Sequence, residues 1–314
     1  MRLIAHERGD AAVWDVVRPA RPSRVAGVTM AGFLRGAAPA DHRVVPHAAV
    51  MLALDLGPAP LIVDDADGRR HRGGLVAGPG LGGAVRVRGE NVECLHVRLT
   101  PVAARAVLGV DPADLGSGVV ALDDLWGRQA SRIRERLADA SSWEERFALA
   151  EALLAQRRTA GAPVEPEVAW AWQRIAASGG RVRVDRLAAE LGWSRKRLWS
   201  RFHAQIGLPP KRAARLVRFD RAAHRLAEGG DPARVAADGG YTDQSHLHRD
   251  VVAFAGTTPA AMADESRRAT AALTAPAALT DPAALTNPTG SAGSAGSAGS
   301  RWISARPSWT MCTR

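Results

Sequence analysis

Residues 188–202, AAELGWSRKRLWSRF, read as the end of a short helix, a glycine turn and a second helix with a cationic outer side. Gly192 supplies the turn, because a residue without a Cβ enters the left-handed region without a steric cost. Ser194 is placed to cap the next helix by accepting a hydrogen bond from a free backbone N–H. Val184, Leu187, Ala188 and Leu191 recur at helical spacing before the turn, and Leu198, Phe202 and Ile206 form an apolar stripe after it. A second unit of the same shape follows at 235–254, VAADGGYTDQSHLHRDVVAF. There Gly239-Gly240 is the turn, Thr242 or Asp243 the cap, and Leu247, Val251 and Phe254 the inward stripe. Two helix-turn-helix units in one chain point to a protein that reads DNA.

The chain of 314 residues has a formal net charge of +10, and the excess is localised. Residues 181–260 hold 15 Lys and Arg against 8 Asp and Glu, whereas residues 1–180 hold 22 against 21. Between Glu190 and Asp220 no acidic residue occurs, while Arg195, Lys196, Arg197, Arg201, Lys211, Arg212, Arg215 and Arg218 do. A solvated helix face usually mixes signs, so this window fits phosphate binding. On the first recognition helix Lys196, Trp199 and Ser200 share one face and are assigned to bases. Arg195, Arg197 and Arg201 are assigned to the DNA backbone, with Lys211 and Arg212 at the start of the linking helix. Trp199 has an alternative seat under that linking helix. On the second recognition helix Gln244, Ser245 and Arg249 are the base readers and His246 and His248 the backbone contacts, since glutamine suits adenine and arginine guanine. Residues 231–260 carry two Arg against four Asp, so this unit adds less unspecific attraction.

Outward from the two units, Gly207-Leu208-Pro209-Pro210 breaks the chain and 211–227 reads as a long amphipathic helix with Leu216, Val217, Ala223 and Leu226 buried. Asp231 and Pro232 open the next helix as cap and first residue. A helix from Pro166 to Ala177 precedes the first unit, and Gly161-Ala162-Pro163 reads as a linker. Upstream, residues 1 to about 125 look rich in strands: Ala48–Leu56, Leu61–Val63 and Val92–Leu99 stand among Gly, Pro and Asp clusters. Pro101–Leu108 reads as a short helix, and Asp123–Arg158 turns helical, with Ser142 and Glu145 resembling a capping box. The expected fold class is α+β: an N-terminal β-barrel or sandwich, then an all-α domain with two helix-turn-helix units. The expected boundaries are 1–160 for the β-rich domain with its helices, 163–263 for the DNA-binding domain and 264–314 for a disordered, low-complexity tail. Residues 272–289 repeat a six-residue unit, ALTAPA, ALTDPA, ALTNPT, and Ser-Ala-Gly triplets follow.

Two cysteines, Cys94 and Cys312, cannot build a disulfide framework or a cysteine-rich zinc site, which fits a reducing cytoplasm. The first residues lack an apolar signal core, and no apolar run is long enough for a membrane span.

The stretch 182–262 resembles the DNA-binding domain of the AraC/XylS family of bacterial transcription regulators. LAAELGWSRKRLWSRFHAQIGLPPK, RFDRAAHRLA and VAADGGYTDQSHLHRDVVAFAGTTP carry the match, down to the closing Gly256-Thr257-Thr258-Pro259. Departures are Val235-Ala236, where the family usually starts the second unit with Ile, and Val251, where it carries an aromatic; both keep the position apolar. The resemblance implies two recognition helices, on 194–205 and 243–254, in successive major grooves about 34 Å apart. The layout of 1–160, including RLTPVAARAVLGV and LDDLWG, resembles the cupin-like regulatory half of a subgroup. It implies binding of an unidentified small-molecule effector or homodimerisation, with RNA polymerase as a further partner, and no enzymatic activity and no cofactor.

The main alternative is a cupin-like metal-dependent enzyme fused to a DNA-binding domain, with His42, His47, Glu93 and His96 as candidate ligands. Their spacing departs from the usual paired-histidine signature, and Glu93 precedes His96 rather than following it. Cys94, beside Glu93 and His96, is weighed as a redox-sensing thiol against a buried structural one. A purely architectural nucleic-acid binder would show steep salt dependence without sequence preference. A methyl-accepting repair protein needs a four-cysteine zinc site that this chain lacks.

Overall fold

The computed structural model describes residues 3–5, 15–35, 40–79, 81–116 and 118–264. The expected tail, 264–314, lies outside these apart from its first residue. Eleven strands are described: β1 Leu3–Ala5, β2 Asp15–Val17, β3 Val28–Leu34, β4 Ala40–Val44, β5 Val50–Asp55, β6 Ile62–Asp64, β7 Arg70–Arg72, β8 Leu75–Ala77, β9 Val85–Gly89, β10 Glu93–Leu99 and β11 Val119–Ala121. They form two sheets, in the orders β1-β4-β9-β6-β7 and β11-β8-β5-β10-β3-β2, with every pairing antiparallel. The arrangement is a sandwich rather than a closed barrel. Its centre is β10, which pairs along most of its length with both β3 and β5.

Alternation along β10 explains its two apolar clusters. Leu95, Val97 and Leu99 pack beneath helices, with Val107, Leu137, Phe147 and Leu154. Cys94 faces the other way, into the inter-sheet core with Val44, Val63, Leu75 and Val87. The covering helices are α1 Pro101–Leu108, α2 Leu122–Trp126, α3 Arg128–Ala138 and α4 Trp143–Ala160. Two of these helices, α1 and α4, start at a side-chain cap. Thr100 accepts from the Ala103 N–H ahead of Pro101, and Ser142 accepts from the Glu145 N–H. The return bond from Glu145 goes one residue earlier than a capping box has it, to the backbone N–H of Ser141 at 2.8 Å.

The second half is all helix: α5 Pro166–Ala177, α6 Val184–Glu190, α7 Arg195–Ile206, α8 Pro210–Ala227, α9 Pro232–Gly239 and α10 Gln244–Ala255. Its core joins Trp172, Ile175, Leu187, Leu198, Phe202, Phe219, Leu226, Leu247 and Val251. Val45 of the β-rich half belongs to the same cluster, and Ala48, Ala84 and Val102 pack against it.

Polar contacts also cross between the halves. Gln205 of α7 is buried and accepts from the Glu165 N–H at 2.8 Å and from Arg105 of α1 at 3.4 Å. Arg43 of β4 donates to the Ala255 carbonyl at the end of α10 at 3.5 Å. Asp220 of α8 is bonded by Arg98 of β10 at 2.7 Å and by His47 at 2.8 Å.

Candidate nucleic-acid interface

Helices α6 and α7 form the first unit. The chain turns at Gly192, in the left-handed region at φ 64°, and Ser194 Oγ accepts from the Arg197 N–H at 3.2 Å. Leu198, Phe202 and Ile206 are completely buried, which fixes the opposite side outward. Lys196, Trp199, Ser200 and His203 follow one another at i, i+3, i+4 and i+7 and form that outer stripe. Trp199 is 52% exposed and stacks on His203, with centroids 5.0 Å apart and planes 14° apart, so it does not sit beneath α8. A flat, exposed indole beside a lysine and a hydroxyl can offer both apolar contact and hydrogen bonds to a groove edge.

Helices α9 and α10 repeat the device. Gly240 takes the left-handed turn at φ 74°, and Asp243, rather than Thr242, is the cap, its Oδ1 accepting from the His246 N–H at 2.7 Å. Gln244, Ser245, His248 and Arg249 are exposed, and Arg249 leans back to the Ser245 carbonyl at 3.4 Å. His246 is half-buried, its ring edge-on to Tyr241 at 5.2 Å.

The cationic window is less open than its composition suggests. Arg195 reaches Asp185 at 3.4 Å, Arg201 pairs with Glu165, and Arg215 reaches Asp250 at 2.7 Å. Arg218 lies 4.0 Å from the other Asp250 oxygen. Arg197 lies over the Trp193 ring at 4.4 Å. The acids that answer these arginines come from outside the window, so a count within it misses them. The Arg195 and Arg201 pairs are at the surface, where such a pair is worth about 0–1 kcal/mol and gives way to a phosphate at small cost. Asp250 differs: its side chain is 2% exposed, and it pins α10 to α8 through Arg215. Lys211 and Arg212 stand exposed at the N-terminal end of α8.

The metal candidates do not form one ligand set among the described residues. Glu93 pairs with Arg146, His47 with Asp220, and the His42 side chain lies outside the described residues. Among the described residues no group of three His, Cys, Asp or Glu side chains converges as a metal site would require. Cys94 is buried, and desolvation followed by the nearby Asp55 charge pushes its thiol well above the usual range, the opposite of a reactive thiolate. No described helix is long and apolar enough to cross a membrane.

Residues 187–265 match the family described as "Helix-turn-helix domain". No curated protein matches the chain. Among solved structures, apo ToxT from Vibrio cholerae is 9% identical, with 78% of this chain and 99% of that one covered and a TM-score of 0.46. Unsaturated fatty acid bound ToxT from Vibrio cholerae is 10% identical, with 77% and 96% covered and a TM-score of 0.43. The AraC-like transcriptional activator CuxR is 15% identical, with 74% and 90% covered and a TM-score of 0.30.

Proposed function

We propose that this chain, which carries an AraC-type helix-turn-helix domain, is a sequence-specific transcription regulator that lays α7 and α10 into successive major grooves and is controlled through its β-rich half. The observation that carries the reading is the pair of capped helices. Each follows a left-handed glycine turn, and each turns a stripe of polar and cationic side chains outward. Each cap satisfies one first-turn N–H and fixes the start of its helix, whose N-terminal residues are then placed to approach base edges.

In this reading Lys196, Trp199, Ser200, Gln244, Ser245 and Arg249 face bases. Arg195, Arg197, Arg201, Lys211, Arg212, His246 and His248 serve the backbone. The β-rich half, about 1–160, takes an effector or a second copy of the chain, and the helical part from about 163 binds the operator.

A footprint of the purified chain on DNA selected from genomic fragments tests the reading. Protection of two neighbouring major grooves on one duplex face is expected, and protection of a single groove overturns it. Competition binding then separates the roles. Lys196→Ala or Arg249→Ala should cost about 1–3 kcal/mol on the chosen site and relax its specificity. Arg212→Ala should weaken all sequences alike and lower the salt slope by about one.

A further inference from the structure

Away from the DNA-facing helices, a part-buried cluster of charged and polar groups lies where the β-rich half meets α8. Asp220 Oδ1 is 2.8 Å from His47 Nδ1, its Oδ2 is 2.7 Å from Arg98 Nη2, and the Ala48 N–H donates to Oδ2 at 3.3 Å. The three donors all come from the β-rich half, and the carboxylate alone comes from the helical half. A guanidinium, an imidazole and a backbone N–H converging on two oxygens make a charge-assisted seat for any carboxylate, not only this one.

The ground behind the seat is unfinished. His96 lies two positions before Arg98 on β10 and therefore on the same face, and it is flanked in register by Ala31 on one side and Ala53 on the other. Its Nδ1 and the Nε2 of His47 are buried without a hydrogen-bond partner among the described residues, and the His47 side chain is only 9% exposed. Buried polar atoms are nearly always partnered, so two neighbouring ring nitrogens fit a polar atom of a ligand or a water between them.

We propose that Arg98, His47 and the Ala48 N–H form a binding site for a small organic carboxylate, filled in the ligand-free chain by Asp220. The ligand's carboxylate exchanges with that of Asp220, its remaining part lies along His96, Ala31 and Ala53, and α8 is released from the β-rich half. The exchange leaves no donor unpaired, because one carboxylate replaces another. Asp220 is tethered and competes at an effective concentration of order millimolar, so a bare carboxylate displaces it only well above that concentration, and a ligand that adds contacts beyond the carboxylate does so at less. The inference deepens the proposed control through the β-rich half, but the chemistry of the seat does not depend on DNA.

The test is run without DNA, so its failure is distinct from a failed footprint. Acetate is titrated into the full chain while the histidine ring nitrogens are followed by NMR. Asp220→Ala removes the internal competitor and should respond at about tenfold lower acetate than wild type, with Asp220→Asn in between. Adding Arg98→Ala to Asp220→Ala should abolish the response. An equal response in wild type and whichever Asp220 variant folds overturns the proposal. A third arm needs no variant: saturating acetate should speed hydrogen exchange across 214–222 of wild type, whereas equal chloride should not. No difference between the two salts likewise overturns it.

Discussion

Asp250 shows what one side chain contributes to this fold. Its carboxylate is buried on α10, held by Arg215 and approached by Arg218, with the Tyr241 ring 5.0 Å from the Arg218 guanidinium carbon. Burial, and then the Asp250 charge, raise the Tyr241 phenol, so it stays a neutral hydroxyl at any working pH. Removing the carboxylate would leave arginines without their counter-charge, one of them 15% exposed. Asp250→Ala should therefore cost about 3–5 kcal/mol in urea unfolding. Arg215→Ala should cost less, because that side chain is 41% exposed and Arg218 remains to answer the acid. None of this is legible in sequence. Asp250 follows Arg249 in a polar run, QSHLHRD, and only the packing of α10 on α8 sends one outward and the other in. Asp220 is hidden in the same way: within RLVRFDRAAHR it reads as solvated, yet its partner Arg98 lies 122 residues earlier.

At the level of elements, the helical half was legible and the strands were less so. The expected helix 166–177 forms with those bounds, and the caps Ser194 and Asp231 act as read. Helix caps and periods are local signals, which is why they survive without tertiary knowledge. The strand β3, VTMAGFL, is hard to read from sequence, because Thr29 alone among its residues is exposed and it lacks the polar alternation of a half-exposed strand. Strands β4 and β9, rich in Arg, His and Asp, were missed for the opposite reason. Two glycines give the expected penalties at joints between elements. At Gly192 an added Cβ would meet nothing within 4 Å, so Gly192→Ala should lose only the left-handed backbone term, about 1–2 kcal/mol by thermal unfolding. At Gly161, which ends α4, the Cβ would fall 2.1 Å from the Ala106 carbonyl oxygen of α1. Backbone cannot yield as a side chain can, so Gly161→Ala should prise α4 from α1 and cost more than Gly192→Ala in the same assay.

For the whole molecule, the buried imidazoles set the response to acid. Burial lowers His47, and lowers His96 to about 3 from an ordinary value of 6.5. The unfolded chain therefore takes up protons first as pH falls. The stability carried by these groups is complete above about pH 6.5 and drains away below it, at up to about 1.4 kcal/mol per pH unit for each imidazole. Asp220 moves oppositely to a neutralised acid: burial disfavours its charge, but His47 and Arg98 outweigh that and hold it well below the usual carboxylate range. Its contribution consequently survives through this window. Urea midpoints measured from pH 7 to pH 5 should fall, and His96→Gln should flatten the fall.

The shared apolar cluster has a practical corollary. Val45, Ala48, Ala84 and Val102 are the lid over one side of the helical core. Cutting the chain near Ala162 to isolate its DNA-reading part would strip that lid and leave a greasy scar beside α7 and α8. Such a fragment should run on a sizing column as larger, less defined species than the intact chain does, and a soluble version would call for polar replacements on the bared side rather than a better-chosen cut.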